Sequence, residues 1–162
     1  MGDLQIREAR STDLPALTQA MGQQLFFADR LSRQDQGLGR LLTAWQDSHP
    51  VGVVYLWLEP AEEPEIREHL LDTPLLTHLE THAAHRARGI GTRLIKAGEK
   101  WLYAKGYDRV ALAVDVNNVR AARLYARLGY REWPYSTVEC MSLTDGDGPR
   151  NIEICHIMVK PL

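Results

Sequence analysis

One stretch constrains the chain more than any other: Leu75 to Thr92, reading LLTHLETHAAHRARGIGT. An apolar-rich run gives way to small residues. Then Arg86-Ala87-Arg88-Gly89-Ile90-Gly91-Thr92 leads straight into a helical pattern. Ile90, Leu94, Gly98 and Trp101 recur every three or four positions and so predict one apolar helix face. The stretch therefore reads as strand, tight turn, helix. Glycine permits close backbone approach and conformations closed to other residues. The first amides of a helix have no internal partners and carry partial positive charge. Together these features predict a phosphate-binding socket. The segment lacks the Gly-Lys-Ser/Thr ending of a nucleoside-triphosphate loop. It also lacks the three-glycine spacing of a dinucleotide fingerprint.

The pattern that remains, R-x-x-G-x-G at Arg86, Gly89 and Gly91, resembles the pyrophosphate loop of the GNAT superfamily of acetyl-CoA-dependent N-acetyltransferases. A second motif follows a strand-like run, Arg109 to Asp115. Asn118, Ala121, Leu124-Tyr125 and Leu128-Gly129-Tyr130 resemble the Asn, Ala, Leu-Tyr and Leu-Gly-aromatic positions common in that superfamily. The resemblance is firm over Leu75–Glu132 and looser towards both ends. It departs from the usual pattern at Ala83-Ala84-His85 and at Ala87.

That resemblance implies an α/β domain over residues 1–162. Its sheet would be mixed and mostly antiparallel, with about seven strands flanked by about four helices. It implies acetyl-CoA as cosubstrate and no metal. The activity implied is acetyl transfer to a primary amine by direct attack in a ternary complex. A small-molecule acceptor is favoured over a protein. Transfer of another acyl group, an aminoglycoside or other antibiotic as acceptor, and a non-catalytic acyl-CoA sensor are the alternatives. The last strand is a candidate homodimer surface.

Acetyl transfer from a thioester sets three tasks: removing a proton from the amine, holding an oxyanion, and protonating a thiolate. On the Leu75–Thr81 strand, alternation puts Leu76, His78, Glu80 and His82 on one face, with Leu75, Thr77, Leu79 and Thr81 on the other. Glu80 is the first candidate base and His78 the second, since a carboxylate facing a cleft takes a proton directly or through water. Surface or hydrogen-bonded roles suffice for His82 and His85. The resemblance gives backbone amides near Thr81 and Ala83 to the oxyanion and the pantetheine arm. It makes Tyr125 a general acid towards sulfur, against a plain packing role. Asn118 would contact the cosubstrate chain or cap its helix. Arg86 and Arg88 would add charge-assisted bonds to phosphate around Gly89, Ile90, Gly91 and Thr92. Asp115-Val116-Asn117 marks where the neighbouring strand ends.

The remaining segments carry less chemistry. Leu14, Leu17 and Met21 give a first helix face, and Leu25–Leu31 a second. Leu41–Trp45 and Val51–Leu58 read as antiparallel strands turning at Asp47–Pro50. Gln36–Gly39 reads as a plain turn. Glu59–Glu65 holds four acids and two prolines; it is a solvated connection or an acidic lip for a cationic amine. Val138–Leu143 and Ile152–Val159 predict a closing hairpin with its tip at Asp145–Pro149. Cys140 and Cys155 fall on those strands and read as reduced, partly buried thiols, with a cross-strand disulfide as the alternative.

A net charge of −2 gives no basic field to recruit nucleic acid. No window approaches the ~20 apolar residues of a membrane span, and no apolar signal core opens the chain. The expected location is cytoplasmic.

Overall fold

The computed structural model describes residues 3–86, 88–143 and 150–162. Among them, eight strands form one sheet. They are β1 (Gln5–Glu8), β2 (Gly39–Gln46), β3 (His49–Trp57), β4 (Leu75–Thr81), β5 (Arg109–Asp115), β6 (Arg131–Glu132), β7 (Val138–Leu143) and β8 (Arg150–Pro161). Five α-helices accompany them: α1 (Leu14–Met21), α2 (Gln24–Asp35), α3 (Pro64–His69), α4 (Ile90–Ala104) and α5 (Val119–Arg127). The sheet runs β1-β2-β3-β4-β5-β8-β6, with β7 also on β8. Every pairing is antiparallel except β4–β5. This is the mixed, mostly antiparallel architecture expected, with one more strand and one more helix than predicted. β6 is the strand the sequence did not show; two residues are too few to carry a period.

Alternation along the central strands sorts the core into two layers. On one face Val53, Tyr55, Leu75, Ala111 and Ile157 pack with Leu17 of α1 and Phe26, Phe27 and Leu31 of α2. On the other, Val54, Leu56, Leu76, Leu112 and Val114 pack with Leu94, Ile95 and Leu102 of α4. Gly98 lets α4 sit close: a Cβ there would lie 3.0 Å from Leu56 Cδ2. α2 starts where expected but runs on to Asp35.

The β2–β3 hairpin turns on Asp47 and Ser48 alone, both at positive φ (50° and 67°), while His49 and Pro50 already belong to β3. The closing hairpin pairs Val138 with Cys155 and Cys140 with Glu153. Its expected tip, like Ala87, lies outside the described residues. Cys140 and Cys155 are free and buried. No helix among the described residues is long and apolar enough to cross a membrane.

Candidate active site

β4 and β5 begin as neighbours and then part. Their pairing consists of Leu75↔Ala111 and Leu76↔Leu112. Beyond that, β4 runs on to Thr81 while β5 stays bonded to β8 through Asp115↔Cys155. The β5-facing edge of β4 is thus left without a strand from Thr77 onward. A cavity of about 490 Å³ lies against this opening, lined by residues of both core faces, including Phe26, His78, Leu79, Asn118 and Tyr125.

β4 is also irregular. Tyr55 pairs with Thr77 but Val53 with Glu80, so β4 carries one extra residue, a β-bulge. His78 sits in it at φ 50°. Left-handed backbone costs a non-glycine residue of order 1–3 kcal/mol and persists where surrounding contacts hold it. Here they are specific. The His78 ring stacks on Phe26 with centroids 3.9 Å apart. Its Nε2 lies 3.0 Å from Glu80 Oε2, and Gln23 Nε2 donates to the same oxygen at 2.9 Å.

The bulge corrects the expected alternation. Leu76 packs in the α4 layer, whereas His78 and Glu80 turn to the α1–α2 layer. Leu79 joins Leu76. One inserted residue switches the face of everything after it, and no residue type in THLET announces the insertion. Gln23 and Phe26 were missing from the sequence reading for a similar reason: they reach the site by tertiary packing from 57 and 52 positions away.

Hydrogen bonds from His78, and then from Gln23, hold the Glu80 carboxyl below the ordinary carboxylate range. His78 lines the cavity and Glu80 does not. A carboxylate only accepts, so the contact puts a proton on Nε2, and in the neutral imidazole the lone pair is then on Nδ1.

Across the opening, Tyr125 lines the cavity from α5. Burial pushes its phenol up, and its hydroxyl has no hydrogen-bond partner among the described residues. It packs as well, its ring 6.1 Å from that of Tyr130. Asn118 caps its helix, one of the two roles expected of it. Its Oδ1 accepts from Ala121 N at 3.1 Å and caps α5, and the residue also lines the cavity.

The turn after β4 holds the other group of predicted residues. Thr81 ends β4, and Ala83–His85 make one 3-10 turn capped by His82, whose Nδ1 accepts from Ala84 N at 3.2 Å. Arg86 and Arg88 are exposed. Arg86 Nε donates to Thr81 O at 3.4 Å. Gly89 takes the left-handed position at φ 74° and starts α4 with no side-chain cap. The first helical bond is Arg93 N to Gly89 O, so the amides of Ile90, Gly91 and Thr92 have no acceptor within the helix. A Cβ on Gly91 would meet only Leu79 and Thr81, at 3.7 and 3.9 Å. Open backbone donors, two exposed arginines and a missing side chain suit a diphosphate. Among the described residues no group of three or more His, Cys, Asp or Glu is arranged to hold a metal ion.

The chain is similar to known proteins. The family model described as the acetyltransferase (GNAT) family matches residues 4–130. A mycothiol acetyltransferase from Stackebrandtia nassauensis is 44% identical over 52 residues, covering 31% of this chain and 17% of that protein. A streptothricin acetyltransferase from Escherichia coli is 30% identical over 59 residues, covering 36% of this chain and 34% of that protein. The chain thus matches only a fraction of the length of either relative. Among solved structures, the PaiA N-acetyltransferase of Thermoplasma acidophilum, in complex with coenzyme A, aligns over 99% of both chains with a TM-score of 0.71 at 18% identity. That likeness is one of fold.

Proposed function

The chain belongs to the GNAT acetyltransferase family, and on that premise we propose that it moves an acetyl group from acetyl-CoA to a primary amine by direct attack in a ternary complex. One observation carries the reading. The parting of β4 and β5 opens a cavity lined by His78 and the half-buried, neutral Tyr125 phenol, and the start of α4, with its free amides, lies next to Leu79 of that lining.

Each group then has a task. The amides of Ile90, Gly91 and Thr92, with Arg86 and Arg88, hold the diphosphate, and the unpaired edge of β4 near Thr81 and Ala83 takes the pantetheine arm. Those main-chain donors along β4 stabilise the oxyanion, because they are fixed before charge develops. His78 replaces Glu80 as the leading base, since it is the one that lines the cavity. Glu80 stays ionised behind it and orients the ring. Tyr125 keeps its proton at neutral pH and delivers it, or a hydrogen bond, to the departing sulfur. The acceptor is a small amine rather than a protein, and it enters between α2 and the β7–β8 hairpin, past Phe26, Trp57 and Ile157 of the cavity lining.

The streptothricin acetyltransferase relative favours a second reading, in which the acceptor is an amine-bearing antibiotic. One experiment tests both. Release of free coenzyme A is measured over a panel of polyamines, amino acids, aminoglycosides, streptothricin and short peptides. Turnover with at least one amine supports transfer, and the best member assigns the class. A chain that binds acetyl-CoA yet turns over no amine, and no peptide N-terminus, is a sensor instead.

A further inference from the structure

The two cysteines were set aside by every step above, yet both line the cavity. Val138 pairs with Cys155, and Cys140 with Glu153. Side chains two apart on a strand, and those paired across it, share a face. Cys140 and Cys155 therefore stand diagonally on the cavity face of the β7–β8 hairpin. Both are free, 9% and 2% exposed.

We propose that Cys140 and Cys155 form a peroxide-oxidisable dithiol in the acceptor wall, whose disulfide narrows the cavity and shuts out the amine. The chemistry is a two-electron oxidation. The Cys155 thiolate attacks a hydroperoxide oxygen; the O–O bond breaks, water leaves, and a sulfenic acid remains. The Cys140 sulfur then attacks that sulfenic sulfur. The S–S bond forms, the S–OH bond breaks, and a second water departs with the Cys140 proton. Two thiols and one hydrogen peroxide yield one disulfide and two waters.

The neighbouring Cys140 holds the Cys155 thiol below its ordinary range, and the neighbouring Cys155, followed by burial, pushes Cys140 up, so Cys155 attacks first. Glu153 and Glu63, which share the cavity lining, oppose ionisation of both thiols. Diagonal partners sit farther apart than a disulfide tolerates, by up to about 1 Å. Closing the bond therefore draws β7 along β8 and moves the cavity wall. The anion socket on α4 lies on the other side of the opening and is left alone.

The thiol state is read independently of turnover, so this inference and the transferase reading fail separately. The full chain is treated with hydrogen peroxide and measured by intact mass, with and without dithiothreitol. The expected result is a monomer lighter by two hydrogens, restored by the reductant. Cys140→Ser and Cys155→Ser proteins should each give no such loss. A gain of oxygen on the wild type, a disulfide between chains, or no reaction at millimolar peroxide overturns the proposal. Acetyl-CoA affinity by calorimetry should match between the reduced and oxidised forms. The KM of the best panel amine should rise at least fivefold on oxidation; a disulfide that leaves it unchanged refutes the closure.

Discussion

The two sides of the β4–β5 opening are built from different materials. On the proposed reading, the cosubstrate side is main chain: a left-handed Gly89, the first amides of α4 and the bare edge of β4. The acceptor side is side chain: Gln23, Phe26, His78 and Glu80 locked together, with Trp57 and Ile157 beyond. On that reading, main chain would hold any ligand with a diphosphate and side chains would choose the amine. The fold would thus separate a generic handle from a specific mouth, and substitutions on the two sides should report differently.

The largest effects should come from the groups that face each other across the opening. Tyr125→Phe and His78→Ala should each lower kcat by about 10²–10⁴-fold, the usual worth of a positioned acid or base. Steady-state kinetics with the best amine checks this, and calorimetry should show acetyl-CoA binding little changed. Full turnover by Tyr125→Phe would reduce that residue to packing against Tyr130. Glu80→Gln separates orientation from proton removal. If His78 is the base, this variant should lose less than His78→Ala, because an amide oxygen still accepts from Nε2. A loss equal to or larger than that of His78→Ala would return the base role to Glu80.

Next in size is the handle itself. Gly89→Asp places a carboxylate beside the free amides, in a backbone conformation that favours glycine. A Cβ there meets nothing within 4 Å, so the fold should survive. The dissociation constant for acetyl-CoA should rise at least tenfold, about 1.4 kcal/mol, while KM for the amine at saturating acetyl-CoA should not. Unchanged affinity would mean that the diphosphate sits elsewhere.

The same division explains what could be read from residue order alone. The handle is local: Arg86, Gly89 and Gly91 are close neighbours, and a glycine-rich turn entering an amphipathic helix is a pattern of spacing. The α4 and α5 faces and the closing hairpin were legible for the same reason, since period and turn chemistry are written in consecutive residues. The mouth is not local. The bulge at His78 adds one residue to a strand, and its only evidence is the shifted register against β3. Gln23 enters at φ 61° between two helices, a conformation no glycine signals. Glu80 comes before His78 in the sequence reading because a carboxylate facing a cleft takes a proton directly or through water, yet it is His78, in the bulge, that lines the cavity.

The smallest effect concerns how the two layers are tied down. α4 is held by Leu94, Ile95 and Leu102, all essentially buried, and apolar burial is insensitive to pH. The start of α1 depends on charge. Arg7 grips Asp13 with two bonds, of 2.8 and 3.0 Å, and Arg10 N adds a third at 2.7 Å. The Arg7 guanidinium, followed by the Arg10 amide, holds the Asp13 carboxyl below its ordinary value. A carboxyl depressed in the folded state contributes its full stability above the unfolded value, near ~3.9, and loses it as pH falls through the folded one. Since Arg7 is 31% exposed, solvent screening limits the contribution to about 1 kcal/mol. Asp13→Asn should therefore lower Tm by roughly 2–4 °C at pH 7, and that gap should close towards pH 2. Hydrogen exchange on acidification should show α1 and α2 losing protection before α4. Equal loss in both layers would mean that the acceptor side is held as firmly as the cosubstrate side, and that the mouth owes its selectivity to shape without local mobility.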